Sequence, residues 1–341
     1  LSKKDIKLAK QYFGHVEIKF FHLTSLAAVP FRNLPGFHFI LTLLEKIDAV
    51  LLKLPLIQWL SWQMVFILSQ PQKTANLTLF EDRKQQEISY YDELAQKWQQ
   101  KSSTDKWQTD AHLLRHNDYS SYGCFDALIK KYCHDKKVLD YGCGTGIHSL
   151  APLKYGAKEV IGIDLSEESL KIARQRAEKE GLANKTQFIK MDCEKLEFPD
   201  NDFDIILDGG AFSSLDLDKA LSELARVLKP DGKLIGIETF GHNPLTNLKR
   251  KLNFIRGTRT KWALNHIFKV DDLERAKKYF GQIKVKYFHL AVLFAMPFRK
   301  IPGMIVVIKL LDKFDSLLLK IPFLQKYGFK IVFVFSEPKK T

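Results

Sequence analysis

The sequence predicts an α/β fold in which a parallel sheet is covered by helices on both faces. Three observations predict it. From residue 137 onward short apolar runs alternate with stretches of helical spacing, a glycine-rich turn follows the first run, and a carboxylate ends the second. At 341 residues with 45% hydrophobic side chains, the chain is long enough to bury a sizeable core.

Taken in order, Lys137–Tyr141 is an apolar run that stops at glycines, and Glu159–Ile163 is the next. Residues 166–181, from Ser166 to Gly181, carry an Ala/Leu/Ile face at helical spacing. Further runs at Thr186–Ile189, Phe203–Leu207 and Lys233–Thr239 are separated by helical stretches, which is βαβ grammar. The last two strands are expected at Lys284–Phe288 and Lys330–Phe335.

The first turn reads Val138-Leu-Asp140-Tyr-Gly142-Cys-Gly144-Thr-Gly146. Glycines there let a bulky ligand lie against bare backbone and let the chain turn through φ angles that other residues resist. A dinucleotide fingerprint would need glycine at position 147, which is Ile147. The next strand ends in Asp164, at a strand tip where a carboxylate can accept hydrogen bonds from two ribose hydroxyls.

These residues resemble the class I S-adenosylmethionine-dependent methyltransferases. The resemblance implies a Rossmann-like seven-stranded methyltransferase sheet over 74–341 and S-adenosyl-L-methionine as cofactor, with S-adenosyl-L-homocysteine as product. It implies that Asp140, Gly142, Gly144 and Gly146 cradle the methionine part and that Asp164, with Leu165 beside it, holds the ribose. Met191, Asp192 and Cys193 would face the adenine, with Asp192 taking the exocyclic amine, and Asp208 at the end of the fourth strand joins the cofactor set. Ala225 to Leu234 matches the family's helix, turn and fifth strand.

Methyl transfer from a sulfonium is an in-line displacement, so alignment and exclusion of water matter more than a general base. Many relatives carry a His-His pair after the fourth strand; here Ser213 and Ser214 stand in its place. The catalytic candidates are therefore His242, which follows the fifth strand, Tyr91 in the helix before the core, and Ser213, with Tyr90 and His266 as further residues of the pocket mouth. The Asn/Asp-Pro-Pro-aromatic tetrapeptide of amino-methylating DNA and glutamine enzymes is missing. Cys124, Cys133, Cys143 and Cys193 lack zinc-ligand spacing, so no metal is expected and the thiols read as reduced, in a cytoplasmic protein.

Between the last two strands lies an insertion at about 297–328 that the minimal fold does not need. From Met304 to Lys320, Lys309, Asp312, Lys313, Ser316 and Lys320 fall on one helical face and Ile305, Ile308, Leu311, Phe314 and Leu318 on the other. Such an amphipathic helix serves as a lid over the site or lies in a lipid interface.

The formal charge of +14 sits at the two ends. Residues 1–73 hold nine Lys/Arg against four Asp/Glu and residues 270–341 fourteen against six. Residues 74–244 hold twenty-three against twenty-nine, an acidic core that argues against a nucleic-acid substrate. No run of roughly 18 uninterrupted apolar residues is present to span a membrane, which leaves a peripheral membrane surface as the partner compatible with the basic, aliphatic ends.

The beginning of the chain repeats its end at a constant offset of 267 residues, as from Asp5 to Asp272, and the likeness runs to Lys73-Thr74 and Lys340-Thr341. Phe21-His22-Leu23 recurs as Phe288-His289-Leu290, Pro30-Phe31-Arg32 as Pro297-Phe298-Arg299, and Pro55 as Pro322. Roughly 45% of some seventy positions are identical. Residues 1–73 thus read as the strand, lid and strand that close an upstream methyltransferase copy, and Leu1 as an interior residue of a longer protein; duplication of the tail alone is the other reading. Either leaves open a homodimer or an intramolecular tandem partner.

Together these readings predict methyl transfer to a small-molecule acceptor that is apolar or lipid-linked: a quinone-like ring, an isoprenoid or a lipid-carried sugar. The alternatives are a soluble natural-product or sugar methyltransferase, and a non-catalytic half that only binds the cofactor.

Overall fold

The computed structural model describes residues 9, 13–54, 57–71, 73–101, 120–299 and 301–340. Leu1, Asp5, Pro55 and Thr341, quoted above for the repeat, lie outside the described residues. The chain divides into two compact units, Leu1–Arg83 and Lys84–Thr341.

In the first unit β1 (Phe13–Phe21) leads through a 3-10 turn at Ser25–Phe31 to α1 (Phe37–Leu51), and β2 (Gln63–Pro71) returns antiparallel to β1. A single buried carboxylate ties helix to hairpin. Asp48 of α1 accepts the backbone N–H groups of Leu23, Thr24 and Ser25 and the hydroxyl of Ser25. These bonds outweigh the cost of its burial, so the carboxyl stays well below the usual range.

Helix α2 (Lys73–Lys101) enters the second unit. There follow α3 (Ser120–Tyr132), β3 (Lys137–Tyr141), α4 (Ala151–Lys154), β4 (Glu159–Asp164), α5 (Glu167–Lys179), β5 (Thr186–Lys190), β6 (Phe203–Asp208), α6 (Leu217–Val227) and β7 (Leu228–Thr239). Three helices, α7 (Pro244–Ile255), α8 (Lys261–Asn265) and α9 (Val270–Ala276), precede β8 (Phe280–Phe288). The insertion carries α10 (Val292–Ala295), α11 (Met304–Leu318) and α12 (Pro322–Gln325), and β9 (Lys330–Pro338) closes the sheet.

The seven strands lie in the order β5-β4-β3-β6-β7-β9-β8, parallel from β5 to β7, with β9 alone reversed and antiparallel to both its neighbours β7 and β8. Val138, Val160, Ile205, Leu207 and Ile235 enter the core cluster shared with Phe125 and Ile129 of α3, while Leu139, Ile163, Ile206 and Leu234 enter the cluster shared with α6. Adjacent residues of one strand thus feed opposite faces, as the pleat dictates. Helix α5 begins where its sequence says it should: Ser166 caps the backbone N–H of Ser169, and Glu167 and Glu168 occupy the positive end.

The insertion is not split into the two faces that its spacing suggests. In α11 only Ile308 and Asp315 are buried, and Ile305 and Phe314 of the apolar face are exposed together with Val306, Leu310 and Leu317. Apolar residues surround most of this helix, so periodicity alone does not say which side packs. The choice falls to Asp315, whose carboxylate accepts the N–H groups of Leu290, Ala291 and Val292 at 2.7–3.1 Å. Both flanking strands meet the insertion at the end where β7 finishes, since Thr239 pairs with Lys330 and Lys330 with Phe288. The insertion therefore leaves the sheet at the edge where α/β proteins bind their ligands.

Candidate functional site

Gly142, Gly144 and Gly146 all take left-handed φ angles, 64°, 51° and 71°. At Gly142 a Cβ would stand 2.6 Å from that of Ala211, so packing forbids one. At Gly144 nothing lies within 4 Å of such an atom, and this open space above bare backbone is what a ligand laid on the turn requires. Asp164 locks the turn from the neighbouring strand: its carboxylate accepts the N–H of Gly144 at 2.8 Å and that of Ser166 at 2.9 Å. Leu165 continues from the same strand tip.

The floor of the turn is acidic. Asp140 is buried and accepts the hydroxyl of Ser149; its carboxyl is pushed up to about 7 by burial first, with the charge of Asp164 adding to it. Asp164 is raised by burial as well. Asp208 accepts the N–H groups of Ala211 and Gly210 and is raised well above the usual range by burial and by Glu238, whose own carboxyl is pushed up to about 7 by burial. Glu238 in turn accepts the N–H of Phe212. Four carboxyl groups thus crowd the tips of β3, β4, β6 and β7 and hold one another's protons on, and a cationic ligand beside them would favour their ionised forms.

Met191 and Cys193 are buried on either side of Asp192, and the Cys193 carbonyl accepts the Tyr141 hydroxyl. Asp192 accepts the N–H of Glu194 with one oxygen and is ion-paired to Lys84 through the other. The Lys84 ammonium also lies 3.6 Å from Glu194.

That lysine belongs to a side of the site that the motifs did not reveal. From Lys84 onward α2 bonds to the loops that follow three strands, Lys84 to Asp192, Asp92 to the Ser166 hydroxyl and Tyr91 to Ser214 at 3.2 Å, and Tyr90 bonds to the Thr258 carbonyl between α7 and α8 at 2.8 Å. Lys84, Glu87 and Tyr91 recur at helical spacing on one face. Glu87 is 6% exposed, and neither of its carboxylate oxygens has a hydrogen-bond partner among the described residues. The helix reads as polar and charged in sequence, and its only hint of a role was the adjacent tyrosines.

The candidate reactive groups fall in different places. Desolvation pushes the Tyr91 phenol up to about 12, so it is a neutral donor at pH 7. Ser213 is buried in the short turn at Phe212–Ser214, next to the serine that meets Tyr91. His242 accepts the Val270 N–H on Nε2 at 3.2 Å, and burial and then Lys269 lower its pKa, so the ring is neutral and its lone pair engaged. His266 stacks on Trp262 with ring centroids 3.7 Å apart and lines a cleft with Phe212, Phe268 and Arg275. Among the described residues no group of His, Cys, Asp and Glu is arranged to hold a metal ion, and all four cysteines are free thiols.

Residues 139–236, which contain the glycine turn and the acidic strand tips, match the methyltransferase domain family. The chain carries a methyltransferase domain of the class I, S-adenosylmethionine-dependent type. Among curated proteins it is similar to a demethylmenaquinone methyltransferase of Bacteroides fragilis, 39% identical over 110 residues, 30% of this chain and 43% of that one. It is also similar to a sterol 24-C-methyltransferase of Gibberella zeae, 30% identical over 183 residues, 50% of this chain and 41% of that one. The chain thus spans less than half the length of either relative. A solved Haemonchus contortus phosphoethanolamine N-methyltransferase 2 in complex with S-adenosyl-L-methionine aligns over 64% of this chain and 53% of its own, at 21% identity and a TM-score of 0.45.

Proposed function

We propose that this protein transfers the methyl group of S-adenosylmethionine to a small apolar or lipid-linked acceptor. The observation that carries the donor half is the open backbone at Gly144, bonded to a strand-tip aspartate over a floor of buried carboxylates. When bound, the cofactor supplies an electrophilic methyl on a sulfonium, next to a cationic ammonium. Asp140 and its glycines would hold the methionine part, Asp164 and Leu165 the ribose, and Met191, Asp192 and Cys193 the adenine. Asp208 keeps the neighbouring loop in place through its two N–H bonds. Taking the adenine amine would require Asp192 to share its carboxylate with Lys84.

Tyr91 and Ser213 are the groups assigned to aligning the acceptor, Tyr91 as a hydrogen-bond donor. His242 is left a packing role, since its free lone pair is already used. Alignment and exclusion of water then carry the rate, with no protein base assigned.

The apolar acceptor is supported by the insertion at the same end of the sheet. Phe294, Phe298, Ile301, Leu310, Leu317 and Phe323 are all more than half exposed. The two acids of α11 turn inward: Asp315 takes backbone N–H groups, and Asp312 takes Ser120 and lies 3.3 Å from His289. Among the described residues, the charges left on this surface are Arg299, Lys309, Lys313, Lys320 and Lys326. An apolar face rimmed by cations suits peripheral attachment to an anionic membrane from the cytoplasm. No helix among the described residues is long and apolar enough to cross one.

Labelled methyl from S-adenosylmethionine, offered to the protein with a cell extract and then partitioned between organic and aqueous phases, tests this reading. Label in the organic phase supports it. Label in water would replace it with a soluble acceptor, and no label in either phase would leave a domain that only binds the cofactor.

A further inference from the structure

The first unit reproduces the closing segment of the second in register, and not only in sequence. In the hairpins Phe13 pairs with Pro71 as Phe280 does with Pro338, and Phe21 with Gln63 as Phe288 does with Lys330. His22 and His289 both take positive φ after the first strand, Gln70 and Glu337 both do so near the end of the second, and Gly36 and Gly303 both do so before the helix. Asp48 and Asp315 hold the same three consecutive N–H groups. One element differs. β9 lies between β8 and β7, whereas β1 and β2 form a sheet of two strands.

The side chains register the missing neighbour. Val65 is 48% exposed and Leu68 41%, while Val332 and Phe335, their counterparts on β9, are 2% and 0% exposed. Apolar residues shaped for a covered strand are thus left in water, and an uncovered edge of this kind is a template for strand pairing.

We propose that residues 13–71 are the closing edge of a second methyltransferase core, and that the outer edge of β2 takes that core's counterpart of β7. The second unit shows what the occupant must look like. Over Lys233–Thr239, β7 runs antiparallel to β9, with Gly236 opposite Phe333, and a Cβ at Gly236 would fall 2.0 Å from the Phe333 ring. Phe66 is the counterpart of Phe333. The strand that docks on β2 therefore carries glycine opposite Phe66, flanked by aliphatic residues where β7 has Leu234 and Ile237.

The test replaces residues 280–338 of the full chain with a second copy of residues 13–71, so that the first unit's hairpin faces a real β7. The control replaces the same residues with a flexible Gly/Ser linker. The expected result is cooperative unfolding and S-adenosylmethionine affinity within about tenfold of the parent for the exchange, and loss of both for the linker. Because core contacts differ, a second exchange restores Met64→Ile and Leu68→Phe within the copied segment. If both exchanges behave like the linker, the proposal falls. It also falls if β2 amides of the unaltered chain are protected from hydrogen exchange and lose protection on dilution, because a second copy of β2 would then hold the edge.

Discussion

Asp164 offers the most direct measure of the donor site. Its two oxygens already accept the N–H groups of Gly144 and Ser166, and each retains a second lone pair for a ribose hydroxyl. Hydrogen bonds to a charged acceptor contribute about 1.5–3 kcal/mol each. Two such bonds do not add fully, so Asp164→Ala should weaken S-adenosylmethionine binding by about 2–4 kcal/mol, roughly 30- to 1000-fold in Kd. Asp164→Asn keeps one acceptor oxygen and should fall between. Isothermal titration calorimetry reads the affinities, and thermal unfolding without ligand separates the lost ribose contact from a loosened turn. An Asp164→Ala protein that unfolds normally and binds the cofactor within threefold of the parent would refute the assignment.

Four further outcomes follow from the same structure. Asp140 keeps a proton to about pH 7 in the folded protein that the unfolded chain releases near the usual carboxylate range, and Glu238 behaves alike, so ligand-free stability should fall as pH rises from about 4 to 7. A cationic cofactor favours the ionised carboxylates, so its affinity should rise over pH 6–8 with proton release in calorimetry. Glu87→Gln removes a buried carboxylate that has no hydrogen bond among the described residues, and should raise the melting temperature of the free protein. Asp315→Ala strands three N–H groups and should cost about 3–5 kcal/mol in chemical denaturation, or show as early hydrogen exchange confined to 289–329 if the insertion opens alone.

Most of the sheet was legible because its strands are buried on both faces and bounded by turns. Lys137–Tyr141 and the runs ending in Asp164 and Asp208 announce themselves by short, mostly apolar and β-branched stretches. The glycine turn was legible for a different reason: left-handed backbone beside a close neighbour leaves few residue choices. The far wall of the site was not. Lys84, Glu87 and Asp92 sit in a helix that reads as solvated, and Lys84 and Asp92 act through partners about 75 to 110 residues away that no local pattern connects to them.

The insertion shows the opposite failure, and its cause bears on function. A helix whose apolar residues face one core can be oriented from sequence, because water selects the polar side. In α11 apolar residues face both the protein and the outside, so what orients it is one carboxylate seeking three backbone donors. Leu310, Phe314 and Leu317 then remain outside at a cost in water that a monomer ordinarily avoids. The first unit carries the same device: Asp48 sets the orientation of α1, and Phe39, Leu43 and Val50 are left exposed. If that exposed face were only a by-product of packing, Leu310→Lys and Leu317→Lys would be neutral or favourable for solubility and without effect on vesicle binding. Cosedimentation with anionic phospholipid vesicles should instead fall at least tenfold in the double variant, with Kd for S-adenosylmethionine unchanged. Equal sedimentation of parent and variant would remove the membrane from the proposed function and leave the donor site as it stands.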